Sequence, residues 1–190
     1  MTTTANQPLT LPGLAAGTWV IDPSHSEVGF VVRHMMVSKV KGRFAKVQGT
    51  ITVAEDVLES SVEATIDAAS IDTRDENRDN HLRSADFFDV ENYPTLSFRS
   101  TGLRTDGSDF VLDGELTIHG TTRPVSLELE FNGVQPNPLA EGKPASGFSA
   151  QTEISRKDFG LEWNVALETG GVLVADKIKI VLEIEAGLAA

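Results

Sequence analysis

Apolar and polar residues alternate along most of the chain after Thr18, and this period of two predicts half-buried β-strands. The last run is the most regular, because Ile178, Ile180, Leu182 and Ile184 share one face while mostly charged residues occupy the other. Similar alternation occurs over residues 27–33, 62–68, 110–119 and 125–131.

Turn-forming dipeptides separate these runs, so consecutive strands are expected to pair in antiparallel order. About eight strands of this kind fit a closed barrel, which leaves no exposed sheet edge, and they fit a two-sheet sandwich equally well. The inward parity of Phe44 is opposite to that of the run from Val47 to Val53. This change of parity indicates an irregularity such as a β-bulge between them.

Two segments break the alternation and predict short helical insertions. Thr73 and Glu76 have the spacing of a capping box, which predicts Thr73 as the N-cap of a two-turn helix near residues 74–83. Residues 155–158 predict a second helical turn in the same way. Residues 1–16 show no sustained periodicity, so we expect a flexible N-terminal tail followed by a single β-barrel domain over residues 17–190.

The charge composition limits the classes of partner. The chain has 28 Asp and Glu against 16 Lys and Arg, a net charge of −12. Nucleic acids and anionic lipid surfaces attract clustered cations, so neither nucleic-acid binding nor tight membrane binding is expected. The first residues lack the basic and apolar stretches of a secretory signal, which predicts a cytoplasmic location.

The sequence contains few signals for catalysis. The nucleophile elbow, the phosphate loop, the dinucleotide fingerprint and the HExxH zinc motif are all absent. The chain has no cysteine, and its four histidines form no short-spaced pair. We therefore expect no catalytic residues, no metal site and no cofactor, and predict that the protein is not an enzyme.

The barrel interior has two interpretations. The chain has nine phenylalanines, several on the apolar parity of their strands, and these could fill a packed core or line a cavity for one small ligand. The charged segment over residues 74–89 is also open. It could be a solvated helix with ion pairs such as Asp79–Arg83, or a lid in which Phe87 and Phe88 close the barrel.

Short motifs follow one another in order along nearly the whole chain. They begin with residues 19–26, Val28-Gly-Phe30, His34, Gly42-Arg-Phe44 and Gly49. They continue with residues 70–73, 78–84, 86–89, 93–94, 98–100, 114–120, 124–125 and 155–160. No single motif is diagnostic, but the ordered set, from about residue 17 to 186, resembles the YceI-like polyisoprenoid-binding family.

This resemblance implies a lipocalin-like, extended eight-stranded antiparallel β-barrel. It implies a binding or carrier protein for transport or storage, with a long isoprenoid lipid, such as a quinone tail or a polyprenyl chain, in the barrel interior as its ligand. Many members of the family have a secretory leader, which this sequence does not show. A homodimer is compatible with the family, although no stripe of exposed apolar residues predicts one.

From the parity and the resemblance together, we expect one set of residues to line the lipid tunnel and a second set to close it. The tunnel set is Phe30, Val32, His34, Phe44, Phe98, Leu116, Phe148 and Trp163, and the lid set is Phe87 and Phe88. Arg78, Asp79 and His81 are expected near the head-group end of the lipid.

Two other functions stay open on the sequence. An enzyme acting on a bound isoprenoid lipid would use His34 or His81 with a nearby carboxylate. A packed barrel that serves in protein–protein interaction would have an interior too full for any guest.

Overall fold

The structure is a computed structural model that describes residues 7–190, so the first six residues of the predicted tail lie outside it. Eleven strands make up nearly all of its regular structure. They are β1 Gly17–Ile21, β2 Glu27–His34, β3 Ser38–Phe44, β4 Val47–Val53, β5 Ser61–Asp67, β6 Ile71–Asp72, β7 Thr95–Asp106, β8 Asp109–Ile118, β9 Thr121–Pro136, β10 Pro144–Ser155 and β11 Val174–Leu188.

The strands form a closed antiparallel barrel of eight, because β11 pairs with β10 on one side and with both β1 and β2 on the other. β1 and β2 follow one another along β11 and together make the first barrel strand. In the same way β3 and β4 make the second strand, and β5 and β6 the third. This closure confirms the eight-stranded barrel and excludes the sandwich.

Each of the first three barrel strands is interrupted by a short irregular segment. In the second strand, Ala45 and Lys46 turn their backbone N–H groups to the carbonyl and the hydroxyl of Ser70, both at 3.1 Å. The interruption leaves Phe44 and Val47 both buried although they are three positions apart. It is therefore the irregularity that the change of parity predicted.

One α-helix occurs in the described part of the chain, α1 over Glu76–Arg83, and short 3₁₀-helices occupy Val57–Glu59, Ala68–Ser70, Pro138–Ala140 and Arg156–Phe159. The sequence predicted Thr73 as the N-cap of α1, but the N-cap is Asp75. The Asp75 carboxylate accepts the backbone N–H of Arg78 at 2.9 Å. Both residue types are good N-caps, so the sequence did not separate them. No helix in residues 7–190 has the length and apolar character needed to span a membrane.

The expected ion pair between Asp79 and Arg83 does not form. Asp79 is buried and accepts hydrogen bonds from the backbone N–H and the hydroxyl of Thr73. Arg83 donates instead to the backbone carbonyls of Ala69 and Ile71, at 2.9 and 3.0 Å. The charged helix is thus tied to the barrel through backbone groups and not through ion pairs along its own surface.

Residues 7–16 contain no helix or strand, but they pack across one end of the barrel. The indole N–H of Trp19, which is fully buried, donates to the carbonyl of Ala15 at 2.9 Å. Leu11 and Leu14 reach the barrel interior. The two leucines provide apolar surface that the barrel end buries, and the flexibility expected for residues 1–16 stays a prediction.

The two ends of the barrel are named here for what covers them. The tail end is covered by residues 7–16 and the 3₁₀-helix Val57–Glu59. The helix end is covered by α1, by the segment 84–94 that follows it, and by the segment 156–173 before β11.

Candidate functional site

The barrel contains an elongated cavity with a volume of about 260 Å³. Its lining residues on β11 extend from Val174 to Ile184. Ten residue steps of about 3.4 Å span roughly 34 Å along a strand, and a tilt of about 40° leaves roughly 26 Å along the barrel axis. The cavity therefore reaches from the helix end almost to the tail end.

The wall of this cavity is almost wholly apolar. Of its 42 lining residues, only Ser60, Thr152 and Arg156 have polar side chains, and none is acidic or a histidine. A polar guest group placed here without a partner would lose hydration worth roughly 2–7 kcal/mol. The cavity is therefore suited to hydrocarbon.

Six of the eight residues predicted for the tunnel wall line this cavity. They are Phe30, Val32, Phe44, Phe98, Leu116 and Phe148. Both predicted lid residues line it too, at the helix end, where the Phe88 ring packs edge-on against Phe44 with 5.6 Å between centroids. Their role in binding a ligand stays a prediction.

Two of these phenylalanines lie against glycines of a neighbouring strand. A Cβ atom on Gly42 would come within 2.3 Å of the Phe30 ring, and one on Gly114 within 2.4 Å of the Phe98 ring. The missing side chains let both rings lie close to the barrel wall, as strand glycines often allow. More of the lumen stays open as a result.

His34 and Trp163 do not line the cavity, which corrects the prediction for both. His34 is the last residue of β2, where the strand leaves the wall, and its neighbour across the sheet is Val174. Trp163 lies in an irregular segment without strand parity, and its ring contacts His81 and Phe87 with centroid separations of 4.6 and 5.3 Å. It packs behind the lid and not inside the barrel.

Arg78, Asp79 and His81, predicted near a lipid head group, also lie outside the cavity lining. Arg78 donates to the hydroxyl and the carbonyl of Thr73, both at 2.7 Å, and Asp79 accepts from the same residue. His81 shares a 2.8 Å hydrogen bond with Asp86. These hydrogen bonds account for the positions of the three side chains, and a place near a lipid head group stays a prediction.

The sequence analysis missed several lining residues. Phe110 and Phe131 have inward parity that the alternation already showed, so they could have been included. Leu11 and Leu14 gave no such signal, because their place in the wall depends on a contact between the tail and a distant barrel end. Arg156 was missed as well, and it lines the wall as the first residue of a 3₁₀-helix.

Arg156 is the charged residue of the lining and is only 3% exposed. Its guanidinium donates to the backbone carbonyls of Ala175, Leu161, Trp163 and Val174, at 2.9, 2.6, 2.9 and 3.2 Å. Burial lowers the pKa of Arg156, while the nearby negative charge of Asp176 acts in the opposite direction. Within residues 7–190, Arg156 forms no ion pair. Four of its five N–H groups are thus engaged with backbone, which makes it a clamp on the helix end.

A cluster of titratable groups lies outside the cavity, where β1 gives way to β2. The Asp22 carboxylate bonds to the His25 ring at 2.7 Å and to the Ser24 hydroxyl at 2.7 Å, and these bonds lower the pKa of Asp22 to about 2. The bond to Asp22 also raises the pKa of His25. Asp22, His25 and Glu185 bring their ligand atoms within 4.8 Å of one another. Internal hydrogen bonds account for this arrangement.

The sequence of the chain matches a known family over most of its length. The model of the YceI-like domain matches residues 19–186. A UPF0312 protein of Staphylococcus epidermidis is 39% identical over 162 residues, which cover 83% of this chain and 90% of the relative. A UPF0312 protein of Staphylococcus aureus strain MSSA476 is 38% identical over 164 residues, covering 85% and 92%.

Solved structures share the fold. The Campylobacter jejuni YCEI protein matches with a TM-score of 0.68 and 30% identity, covering 83% of this chain and 90% of its own. Burkholderia cenocepacia BcnA matches with a TM-score of 0.72 and 24% identity, covering 87% and 98%. A polyisoprenoid binding domain from Saccharophagus degradans, implicated in plant cell wall breakdown, matches with a TM-score of 0.64 and 16% identity, covering 90% and 98%. For the last two, the likeness is one of fold alone.

Proposed function

This chain belongs to the YceI-like family, and we propose that it binds a long isoprenoid-like lipid, such as a quinone tail or a polyprenyl chain, inside the barrel. The observation that carries the proposal is the elongated cavity with an almost wholly apolar wall. The fold shared with a protein described as a polyisoprenoid binding domain is in keeping with it.

The energetics of burial favour an extended apolar chain as the guest. Burial contributes roughly 0.8 kcal/mol per methylene-sized group, so about 20 buried carbon atoms would contribute about 16 kcal/mol. Association and ordering cost an estimated 4–15 kcal/mol of that gain. A hydrocarbon tail alone therefore supplies enough free energy for binding, without recognition of a head group.

The polar end of such a lipid would stay at one end of the cavity. Within the wall, Ser60 and Thr152 are the residues with a side-chain hydroxyl, and Arg156 already donates to backbone carbonyls. Selection among lipids should therefore follow the length and width of the tail. Equal affinity of wild type and Arg78→Ala for both a quinone and a headless prenyl hydrocarbon would argue against a head-group site at Arg78.

We propose a carrier or reservoir and not an enzyme, with the lipid as its cargo and not as a cofactor. An enzyme acting on the bound lipid would need an acid or base beside it, and the lining contains neither a carboxylate nor a histidine. A packed interaction barrel is disfavoured by the open lumen. The cytoplasmic location stays a prediction.

Native mass spectrometry, followed by organic extraction, tests the proposed ligand. The purified protein should hold a species with a prenyl repeat, or should take one up from added quinones and polyprenols. Binding to the folded state should also raise stability by about 2.7 kcal/mol at a ligand concentration 100 times Kd. A folded protein that keeps its apo mass and its unfolding midpoint with every such lipid would overturn the proposal.

A cavity-filling variant locates the ligand. Ala150 is buried and lines the cavity, so Ala150→Phe should shorten the longest prenyl chain retained while the β-sheet circular dichroism is preserved. Ala45 is exposed at the interruption of the second barrel strand, and Ala45→Phe serves as the matched control. Unchanged chain-length preference in a folded Ala150→Phe protein would place the ligand outside the lumen.

A further inference from the structure

The acidic net charge conceals a basic hairpin formed by β2 and β3. Residues 28–54 cover this hairpin, except for Glu27 at the start of β2, and continue through β4. They contain five of the 16 Lys and Arg residues of the chain and none of its 28 Asp and Glu residues. The five are Arg33, Lys39, Lys41, Arg43 and Lys46, and all are exposed. The remainder of the molecule is correspondingly more acidic than its total charge suggests.

Three of these cations form a continuous basic face near the hairpin tip, composed of Arg33, Lys39 and Lys41. Arg33 and Lys39 are directly opposite one another across the two strands, a pairing of like charges that destabilises a sheet. Within residues 7–190 no ion pair neutralises any of the three. The fold alone gives no reason for this placement.

Acidic groups near this face are few. Asp72 is paired with Arg43 at 3.6 Å, beyond the far end of the basic face. Asp176 accepts hydrogen bonds from the hydroxyl of Ser155 and the backbone of Lys157. The loop over residues 164–173, which adjoins the hairpin tip, contains one acidic residue, Glu168.

The tip of the same hairpin is apolar and exposed. Met35, Met36 and Val37 are 45%, 51% and 80% exposed. The backbone N–H of Met35 donates to the Leu173 carbonyl at 2.8 Å, which joins the tip to the loop that carries the half-exposed Val165. These four apolar side chains, Met35, Met36, Val37 and Val165, are called the apolar tip.

The backbone of the tip is unfavourable for the residues that occupy it. The loop between β2 and β3 has three residues, 35–37, and the first two, Met35 and Met36, have φ values of 49° and 63°. This is the left-handed conformation for which tight hairpin turns favour Asn and Gly. Placing two methionines here strains the turn and also exposes apolar surface to water. Such local cost is characteristic of a contact surface and not of a solvated turn.

We propose that the apolar tip and the basic face together form a docking surface for an anionic lipid bilayer. The apolar tip would enter the region between head groups and acyl chains, and Arg33, Lys39 and Lys41 would contact lipid phosphates. Repulsion of the acidic remainder from the same membrane orients the molecule with this hairpin toward it. The proposal goes beyond lipid binding in the barrel and does not depend on it.

A bilayer fits this surface better than a second copy of the chain. A stable dimer needs roughly 1,000 Å² or more of complementary buried surface, which a convex hairpin tip of four apolar side chains does not provide. The total charge argued against tight membrane binding, whereas the local distribution of charge supports a weak and reversible contact.

Vesicle sedimentation without added isoprenoid tests the docking surface. In 50 mM salt, vesicles of three parts phosphatidylcholine to one part phosphatidylglycerol should bind the protein at least tenfold more tightly than pure phosphatidylcholine. Raising the salt to 500 mM should remove most of this preference, because the Debye length then falls well below 10 Å. Equal binding to both vesicles, or no binding to either, would overturn the proposal, while lipid uptake by the barrel is measured separately.

Two sets of variants separate docking from folding. Met35→Asn/Met36→Gly supplies the residues that the turn prefers, so it should raise the unfolding midpoint and lower vesicle affinity at least tenfold. Lys39→Gln/Lys41→Gln should lower affinity for the anionic vesicles alone. Leu139→Ser and Lys143→Gln, in the exposed loop between β9 and β10, are the matched controls and should bind as wild type.

An unchanged affinity of the folded Met35→Asn/Met36→Gly protein for vesicles would refute the role of the apolar tip in docking. Analytical ultracentrifugation distinguishes self-association. A concentration-dependent dimer that the same double variant abolishes would make the tip a contact between copies and overturn the proposal, and a monomer throughout would support it.

Discussion

The two ends of the barrel are closed by different kinds of interaction. At the tail end, buried Trp19, Val53 and Ala186 pack with Leu14 and Phe148, and these contacts are apolar and non-directional. At the helix end, Phe88, Phe159 and Leu161 also pack in an apolar cluster. Hydrogen bonds to backbone carbonyls are added there, from Arg156 to the start of β11 and the segment before it, and from Arg83 to the segment before α1. The tail end is closed mainly by apolar contacts, whereas the helix end combines apolar contacts with directional hydrogen bonds.

This difference predicts different mechanical behaviour. A buried polar network is stable only while every partner is present, because a lone buried donor or acceptor is costly. Apolar contacts between a strand-free segment and a barrel can be lost and regained gradually, with few hydrogen bonds broken. The tail end should therefore open locally at lower free energy than the helix end.

The largest effect is expected from removing the clamp at the helix end. Arg156→Met leaves the carbonyls of Leu161, Trp163 and Ala175 without this donor, while the Val174 carbonyl still accepts from the Asn164 amide at 2.8 Å. Each unsatisfied carbonyl costs about 1–3 kcal/mol, so we expect a total loss of about 3 kcal/mol or more. Urea unfolding followed by circular dichroism measures this loss. Lys157→Met, on the exposed neighbouring residue, should stay within about 0.5 kcal/mol of wild type. A loss below about 1 kcal/mol in Arg156→Met would contradict the clamp.

The second effect concerns the link between α1 and the barrel. Asp79→Ala removes the acceptor for the backbone N–H and the hydroxyl of buried Thr73, which should cost about 1–3 kcal/mol. Asn77→Ala, at an exposed position of the same helix, is the control. Hydrogen exchange should show faster exchange across all of α1 in the Asp79 variant. Faster exchange confined to the residues next to position 79 would argue against cooperative opening of the helix end.

A smaller and more local effect is expected at the tail end. Leu14→Ala removes a partly buried side chain from the barrel closure, so we expect a loss of about 1 kcal/mol in global stability. The backbone N–H of Val57, which donates to Leu9, should exchange faster while α1 keeps its protection. The side chain of Leu9 is exposed, so Leu9→Ala is the control. Loss of protection at both ends would show that they are coupled.

The smallest effect is expected from the side wall, which belongs to neither end. Asp22→Asn removes the carboxylate that raises the pKa of His25, so an NMR titration should show the His25 pKa falling toward its ordinary value of 6.5. Asp109→Asn, at a distant exposed position, should leave that titration unchanged. Because the His25 side chain is 59% exposed and the Asp22 side chain 34% exposed, solvent weakens the pair, and the change in unfolding free energy should be smaller than for the other three variants.

The pH dependence of this pair has opposite signs for its two members. The lowered pKa of Asp22 stabilises the fold above its ordinary value of 3.8, and this contribution disappears as the pH falls through about 2. The raised pKa of His25 stabilises the fold below pH 6.5 and loses its effect as the pH rises through the raised value. An Asp22→Asn protein with the wild-type stability profile on both sides would show that the pair contributes nothing measurable.

The strands and most of the cavity wall could be predicted from the sequence because both follow from the alternation of side chains. Parity placed Phe30, Val32 and Phe98 on the inside, and the change of parity at Phe44 located an interruption. Closure of the sheet required more than alternation, because a sandwich has the same pattern. The interruption between Phe44 and Val47 could be predicted because it depends on neighbouring residues, whereas closure depends on pairing between residues distant in sequence.

The errors arose where strand parity ends or where contacts are distant in sequence. His34 is the last residue of its strand, and Trp163 belongs to no strand. Leu14 reaches the lumen only because the chain folds back across the tail end. The sequence also did not indicate that Arg78 and Asp79 both bind Thr73. The net charge of −12 also gave no sign of the basic hairpin, because a net charge does not show where along the chain the cations lie.

The seam of the barrel has a consequence for how the protein is made. β1 pairs with the end of β11 through Trp19 with Leu188 and Ile21 with Ala186, residues separated by nearly the whole chain. During synthesis the edge of β1 that faces β11 has no partner until β11 has left the ribosome. Closure of the barrel must therefore be late, and the entropy cost of closing so long a loop is large. Until then two strand edges are open to pairing with other chains. A nascent chain stalled before β11 would be the form most prone to aggregate.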